Sequence, residues 1–392
     1  MHATRKKLWL FNAVTRSVVG GLAAVAVVLA PLTPAGALTG SSLQSTPVGT
    51  VIGSSNMTLP TALRTIATGK RITYVSSNSA GQKIVVSGAV ITPKVLAAVP
   101  RTVAWAHGST GLADGCAPST NLNVFWPEAV DAVKSYLQKG WVVAASDYPG
   151  LGSPGNHPYL VGDSQARAVI DSVRAARKMN SRLTDQWAVS GHSQGGQTAL
   201  FAGEIADTYG QGLKLRGVVA MSPVSNAEII GTMIPGTPGQ GYLVMALYGL
   251  AAVDPTVNPD TILAQPAKDL SQVVRTGCLE QILYAYAPLT AEQLLVGGQL
   301  PETVIAKLAA SANPAQQANT APVMLVQGTL DQDVPADLTY LLHSQVCSYG
   351  TPALLQPIEG ADHIGTVTQS IAVVSGYLTD RFAGRPAPTN CL

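Results

Sequence analysis

The chain has 392 residues, of which 46% are hydrophobic and 12% charged, and its 24 Lys and Arg against 22 Asp and Glu give a formal net charge of +2. Because disorder requires low hydrophobicity and high charge, this composition excludes a disordered chain. It also argues against nucleic-acid binding, which needs a basic excess to neutralise phosphates, and the length permits one large domain or two ordinary ones.

The first 37 residues have the layout of a secretory signal peptide. Four basic residues lie within the first 16 positions, an apolar run spans residues 18–32, and Ala35-Gly36-Ala37 forms a small-residue cleavage site. We therefore predict export and cleavage after Ala37. A membrane anchor is the alternative, but the apolar run is short and is interrupted by two glycines. Removing this segment leaves 20 basic against 22 acidic residues, a net charge of −2.

Beyond this segment, short apolar runs alternate with helical patterns. Residues 38–70 are rich in Ser, Thr and Gly and are expected to lie on the surface, and residues 72–92 are predicted to form a hairpin around a turn at residues 78–81. Continuous apolar strands with helices between them need a sheet covered on both faces, so the prediction is an α/β fold with a mostly parallel sheet. The remaining predicted strands are 102–106, 141–145, 187–190, 215–220, 322–327 and 354–359, and the predicted helices are 128–139, 164–179 and 194–209.

One long stretch interrupts this alternation. Residues 224–318 contain no convincing strand, whereas ordinary connections in α/β folds are 2–6 residues long. We predict a helical insertion there, which divides the core into residues 38–223 and 319–392. Its apolar run at residues 242–253 is too short to cross a bilayer.

The strongest chemical signal is Gly191-His192-Ser193-Gln194-Gly195, which matches G-x-S-x-G between a predicted strand and a predicted helix. In this context the two glycines allow a sharp turn that exposes the serine hydroxyl at a helix N-terminus, where partial positive charge favours an oxyanion. The motif predicts that Ser193 is a nucleophile.

A serine nucleophile needs a base and an orienting acid, which follow it in the order Ser, acid, His in this type of fold. Asp331 and Asp333 both follow the strand at 322–327. We favour Asp331, because Asp333 is expected to be a turn or N-cap residue beside Pro335, where a helix is predicted to start. His363 follows the last strand and is the predicted base. Asp362 is expected to shape that loop.

An oxyanion hole needs two convergent donors. We predict the backbone N–H of Gln194 as one, and the N–H of Ser109 or Thr110, in the glycine-rich loop 107–116, as the other. Residues 150–155 read G-x-G-x-x-G, but Pro154 and Pro158 prevent the helix that a dinucleotide-binding motif must open. We predict neither an organic cofactor nor a metal.

The chain contains four cysteines, Cys116, Cys278, Cys347 and Cys391. An even count in an exported chain predicts two disulfides, and four cysteines allow three pairings, among which this reasoning does not choose. The absence of any Cys-x-x-Cys spacing argues against a structural zinc site.

Several stretches together resemble the secretory lipase family of the α/β-hydrolase superfamily, including its fungal and actinobacterial branches. They are residues 105–111, 114–119, 147–152 and 191–195 and the surroundings of Asp331 and His363, and the similarity spans roughly residues 45–392. The resemblance implies an α/β-hydrolase fold, a Ser193–Asp331–His363 triad and a helical lid at residues 224–318, before the strand that bears the acid. It also implies the disulfides Cys116–Cys278 and Cys347–Cys391.

The function expected from these residues is that of an exported, monomeric serine ester hydrolase. Its substrates would be acylglycerols or related lipid esters, met at a lipid–water interface. A short-chain carboxylesterase and an acyltransferase using the same triad are the main alternatives. A secreted peptidase and a non-catalytic binding module fit the sequence less well, because no second large domain fits in the chain and the triad is intact.

Overall fold

Nine strands form one sheet in the order β1-β2-β3-β5-β4-β6-β7-β8-β9. The computed structural model describes residues 40–124 and 127–392, so the predicted signal peptide lies outside the described residues. Strands β1, β2, β3 and β5 pair antiparallel in that order, and from β5 onward the strands β5, β4, β6, β7, β8 and β9 pair parallel. The strands are β1 Val51–Met57, β2 Ala67–Ser77, β3 Lys83–Pro93, β4 Thr102–Ala106, β5 Val142–Ser146, β6 Gln186–His192, β7 Lys214–Met221, β8 Val323–Gly328 and β9 Ala353–Ile358.

Helices cover both faces of the sheet. Successive residues of a strand point to opposite faces, so Val218 of β7 packs into the layer under α4 and α5, and Val219 packs under α3 and α15. Both valines are fully buried, and each such burial contributes roughly 1.5–3 kcal/mol. The helices of the core are α1 Ser41–Ser45, α2 Thr61–Arg64, α3 Pro127–Gln138, α4 Gly162–Met179, α5 Gln194–Tyr209, α14 Ala336–Ser348 and α15 His363–Phe382. The mostly parallel α/β fold that we predicted is confirmed.

The edge strand β1 was missed by the sequence analysis, which expected only a surface segment at residues 38–70. β1 pairs with β2 but is buried on neither face, and its centre reads Gly53-Ser54-Ser55-Asn56. Without apolar residues at every second position, a strand has no period-2 signal in the sequence. The hairpin of β2 and β3 is present and extends further than predicted, from Ala67 to Pro93.

The segment between β7 and β8 consists of helices and has its own apolar cluster, which includes Leu243, Leu247, Ile262, Ile282 and Leu295. The bounds of its helices are α6 Ala227–Met233, α7 Gln240–Ala251, α8 Pro259–Ile262, α9 Gln265–Asp269, α10 Ser271–Thr276, α11 Leu279–Tyr286, α12 Ala291–Leu294 and α13 Glu302–Ala312. No helix in the described part of the chain is both long and apolar enough to span a bilayer. That this segment acts as a lid stays a prediction.

The two ends of this insertion are joined through one side chain. Asn313 accepts the backbone N–H of Ala227 at 2.7 Å and donates to the Glu228 carboxylate at 2.6 Å. The segment returning to β8 is held by Glu204 of α5, whose carboxylate accepts the backbone N–H of Ala315 at 2.6 Å. These bonds fix where the insertion leaves and rejoins the core.

Glu204 should make stability depend on pH. Burial raises its pKa from 4.5 to about 7. Because the folded protein binds this proton more tightly than the unfolded chain does, protonation of Glu204 stabilises the fold. Its contribution to the free energy of unfolding is fully present below pH 4.5 and is lost as the pH rises through 7. At about 1.4 kcal/mol per pKa unit, the loss is about 3 kcal/mol.

Urea unfolding at pH 4.5 and pH 8 tests this prediction. The free energy of unfolding should change less between the two pH values in Glu204→Gln than in the parent. Glu302→Gln, at an exposed position of α13, is the control and should match the parent; an unchanged pH effect in Glu204→Gln would contradict the assignment.

Candidate active site

Ser193 lies in the sharp turn between β6 and α5 with φ 57° and ψ −118°. A non-glycine residue at positive φ is strained and persists only where its surroundings impose it. A methyl group on Gly191 would come within 2.0 Å of the Gly195 carbonyl oxygen, and one on Gly195 within 1.9 Å of the Ala106 carbonyl oxygen. The two glycines therefore permit the close backbone packing that holds Ser193 at the start of α5.

Asp331 and His363 form a buried pair. The Asp331 Oδ2 and the His363 Nδ1 are 2.8 Å apart, and the Asp331 Oδ1 accepts the backbone N–H of Val334 at 2.9 Å. Burial by itself would raise the pKa of Asp331, but its bonds to His363 and to the backbone outweigh that effect and lower the pKa below its ordinary value. The carboxylate is thus ionised, and it leaves Nε2 as the His363 nitrogen that can exchange a proton with a substrate group.

The other two aspartates near this pair have local structural roles. Asp333 is exposed and donates its backbone N–H to Asp331 at 3.0 Å, so it is a turn residue. Of the two roles expected for Asp333, turn or N-cap residue, the structure shows the turn, because Pro335 occupies the N-cap position of α14. Asp362 caps α15, accepting the Gly365 N–H at 2.7 Å, as expected of a loop-shaping residue.

The three predicted triad residues follow the carboxyl ends of β6, β8 and β9, which belong to the parallel part of the sheet. The Ser193 N–H donates to the carbonyl of Met221 at the end of β7. The N–H of Ser222, which follows Met221, donates in turn to the carbonyl of Val326 in β8. The ring of His192 lies against the His363 ring with centroids 4.4 Å apart, and its Nε2 is 3.1 Å from the His363 carbonyl oxygen. Burial, and then the charge of His363, lower the pKa of His192, so this neighbouring ring remains neutral.

The loop after β4 passes beside Ser193. A methyl group on Gly108 would lie 3.7 Å from the Ser193 Cβ. The next residue, Ser109, is buried with its hydroxyl 2.6 Å from the phenol oxygen of Tyr159. The Thr110 carbonyl accepts the N–H of Leu279 from the insertion at 2.9 Å. The sequence indicated this loop, but Tyr159 was missed because nothing in the sequence connects it with a residue 50 positions earlier.

The motifs at 114–119 and 147–152 support this loop. The buried Asp147 carboxylate accepts the Ser119 N–H at 2.8 Å and the Ser87 hydroxyl at 2.6 Å. The carbonyl of Asp147 lies 3.3 Å from the His107 Nε2, at the start of the loop. The stretch at 150–155 opens no helix, since the next one begins at Gly162, so it lacks the geometry of a dinucleotide site.

An apolar pocket opens above Ser193. It holds about 650 Å³ of empty space, including its open mouth, and Tyr159, Leu160, Asp333 and Val334 line it from the core. The insertion supplies the remaining walls from α6, α7, α13 and the residues that flank α6, with Val224, Ala227, Ile230, Gly231, Ile234, Tyr242, Leu243, Ala246, Leu308 and Ala312. Apolar walls with few polar groups at one end suit a ligand with a long apolar part and one reactive polar group.

Two groups of side chains in the described residues have the spacing of metal ligands. One contains Cys347 and Cys391, whose sulfurs are joined in a disulfide and therefore provide no thiolate. The other is Asp331, Asp333 and His363, but the Asp331 oxygens already accept bonds from His363 and the backbone. Neither group offers a free set of ligands.

Disulfides join Cys116 to Cys278 and Cys347 to Cys391, the pairing that the family resemblance implied. The first ties the loop before α3 to the insertion, where Gly111 also forms a bridge with Cys278. The second ties the C-terminal segment to α14. Since their partners are 162 and 44 residues apart, chain-entropy estimates give about 5 and about 4 kcal/mol of stability.

Removing each disulfide should have different consequences for catalysis. We expect the Cys116→Ser/Cys278→Ser variant to lose stability and also about tenfold or more in kcat, because Cys116 ends the loop that carries a predicted oxyanion donor and small displacements of such donors are costly. The Cys347→Ser/Cys391→Ser variant should lose comparable stability with kcat unchanged. Urea unfolding and initial ester-hydrolysis rates measure both quantities. Equal kcat in the two variants would show that the first disulfide does not position the site.

The chain is similar to known lipases. Residues 128–390 match the family described as secretory lipase. The chain is 22% identical to lipase A of Moesziomyces aphidis, over 90% of this chain and 78% of that protein, and 22% identical to the secreted triacylglycerol lipase LIP4 of Malassezia globosa, over 89% and 80%. The structure of Candida antarctica lipase A in its closed state superposes with a TM-score of 0.77 at 19% identity, covering 91% of this chain and 88% of that one. This last similarity shows a shared fold.

Proposed function

Because the chain belongs to the secretory lipase family, we propose that it hydrolyses lipid esters through an acyl-enzyme formed on Ser193. The observation that carries this proposal is the Asp331–His363 pair, whose imidazole contacts the ring of His192 directly before a strained serine that lines an apolar pocket. Ser193 Oγ attacks the ester carbonyl while His363 Nε2 accepts its proton, and Asp331 stabilises the resulting imidazolium. His363 then protonates the leaving alcohol, and a water molecule hydrolyses the acyl-enzyme by the same steps in reverse.

The oxyanion of each tetrahedral intermediate would be stabilised by backbone donors. In this proposal the N–H of Gln194, at the start of α5, supplies one bond, and the loop containing Ser109 and Thr110 supplies the other. Such donors are already in place before charge develops, so they cost no reorganisation during the reaction.

The apolar pocket would hold the acyl chain, and the insertion that walls it would act as the lid. Each CH₂ group that leaves water for such a pocket contributes about 0.8 kcal/mol. Leu330 directly precedes Asp331 and is 63% exposed, and Ile364 directly follows His363 and is 46% exposed. Met233, at the end of α6, is 66% exposed. Exposed apolar side chains next in sequence to residues of the proposed site support a substrate presented at a lipid–water interface.

Export through a cleaved signal peptide at residues 1–37 is part of the same proposal. The two disulfides support an oxidising compartment, and the family is described as secretory. N-terminal sequencing of the protein recovered from the culture medium of an expressing host tests the cleavage after Ala37.

Chain-length preference tests the proposed substrate. Initial rates on p-nitrophenyl esters from acetate to palmitate, with a triglyceride emulsion alongside, should favour medium or long chains and show emulsion hydrolysis. Preference for acetate without emulsion hydrolysis would instead identify a carboxylesterase, and preferential acyl transfer to an added alcohol would identify an acyltransferase.

Ala246→Phe should fill the pocket and lower the ratio of long-chain to butyrate kcat/KM by about tenfold or more. Val253→Phe, at an exposed position after α7, should leave this ratio unchanged.

A further inference from the structure

Two buried hydroxyl groups form a hydrogen-bonded pair, one on the loop after β4 and the other on a residue that packs against the insertion. The Ser109 Oγ and the Tyr159 phenol oxygen are 2.6 Å apart, and both side chains are at least 95% buried. Ser109 follows Gly108, the residue that passes beside Ser193, and Tyr159 lines the same pocket as Ser193. The pair therefore lies at the edge of the proposed acyl site.

The chemistry of the pair decides which proton remains available. A phenol is more acidic than an alkyl hydroxyl, so it is the better donor, and the serine oxygen is the better acceptor. Burial raises the pKa of Tyr159, which keeps the phenol protonated and able to donate. When Tyr159 donates to Ser109, the Ser109 hydrogen is left free to donate to a third group.

We propose that the Ser109 hydroxyl is a third donor to the oxyanion, in addition to the backbone donors, and that Tyr159 is the positioning residue that orients it. This inference rests on the proposed function. A donor in a buried site is stronger than one in water, because few solvent dipoles compete with it. Tyr159 donates its own hydrogen to Ser109, so its contribution to catalysis passes through Ser109.

The position of Tyr159 is itself set by the insertion. Helix α7 passes so close to Tyr159 that a methyl group on Gly249 would lie 2.4 Å from the Tyr159 carbonyl oxygen and 2.5 Å from its backbone nitrogen. Glycine at 249 thus allows α7 to pack against the Tyr159 backbone. The helix that walls the acyl pocket thereby fixes the residue that orients the oxyanion donor.

A double-mutant cycle tests this arrangement on the full-length, disulfide-bonded protein with p-nitrophenyl butyrate. Ser109→Ala and Tyr159→Phe should each lower kcat about 10- to 100-fold, with KM changed less than about threefold. The double variant should be no slower than Ser109→Ala by more than about threefold, because Tyr159 acts through Ser109. Ser109→Thr keeps the hydroxyl and should recover most of the lost kcat.

The chain offers a matched control for the loss of a buried hydroxyl pair. Tyr136 of α3 and Ser190 of β6 form an equivalent bond at 2.8 Å, and neither residue lines the pocket. Tyr136→Phe should lower the unfolding temperature about as much as Tyr159→Phe and leave kcat within about twofold of the parent.

Two outcomes overturn the inference while leaving the proposed function intact. One is parental kcat in Ser109→Ala while Ser193→Ala is inactive. The other is a double variant whose fold-loss in kcat equals the product of the fold-losses in the two single variants. Such independent effects are what a purely structural role of Tyr159 predicts. Activity retained in Ser193→Ala would instead overturn the proposed function itself.

Discussion

Replacing Ser193 by alanine is expected to lower kcat for ester hydrolysis by about 10⁵-fold, leaving only the rate that oxyanion donors and substrate binding supply without a nucleophile. The substitution removes one oxygen and keeps the backbone of the turn, which is held by Gly191 and Gly195 rather than by the serine side chain. The variant should therefore fold, with an unfolding temperature close to that of the parent. Initial rates on p-nitrophenyl butyrate, thermal unfolding and labelling with a fluorophosphonate probe measure these three properties.

A second serine serves as the control for this experiment. Ser172 is buried on α4 with its hydroxyl bonded to the Val169 carbonyl at 2.7 Å, and it does not line the pocket. Ser172→Ala should keep the parental kcat and react fully with the probe. If Ser193→Ala kept more than about 1% of the parental kcat, or were labelled by the probe, another residue would have to be the nucleophile.

Replacing Asp331 by asparagine should lower kcat by about 10³- to 10⁴-fold with little change in KM. The carboxylate lies 2.8 Å from His363 Nδ1, and bonds to His363 and the backbone keep its pKa low, so it is charged when the imidazolium forms. An amide offers no charge and presents an N–H to the same ring nitrogen, which favours the wrong tautomer. Steady-state kinetics between pH 6 and pH 9 measure the loss and show whether it persists across that range.

Asp333→Asn provides a matched control only two residues away. The Asp333 side chain lines the exposed part of the pocket, and its hydrogen bond to Asp331 is made by a backbone N–H that the substitution preserves. Its kcat should stay within about threefold of the parent. A larger loss in Asp333→Asn than in Asp331→Asn would reverse the assignment that the sequence favoured, and equal losses would mean that the two carboxylates share the role.

Features governed by local backbone constraints were readable from the sequence. Gly191 and Gly195 flank the serine because only glycine tolerates the contacts of 2.0 and 1.9 Å found there, so the motif directly reports the turn. The positions of Asp331 and His363 followed from a second regularity, because parallel strands place the residues after them at one edge of the sheet. The helical insertion was detectable because 95 residues without a strand pattern exceed any ordinary connection.

Features that depend on contacts distant in sequence became visible only in the tertiary structure. Strand β1 lacks a period-2 pattern because an edge strand exposed on its central residues needs no apolar face. The pairing of the four cysteines was open to three solutions when judged from the residues alone, and only the family resemblance pointed to the one observed. Spacing along the chain contains no information about which sulfurs meet after 162 residues of intervening fold.

The sequence by itself determined the fold class and the identity of the candidate nucleophile, acid and base, because each follows from local strain or strand order. The tertiary structure decided how the site is shaped. Residues between 159 and 334 converge on one pocket, and the hydrogen bond between Tyr159 and Ser109 joins two loops that share no motif. Such contacts are set by how the insertion packs on the core, through side chains whose apolar or hydroxyl character is common throughout the chain and therefore gives no local signal.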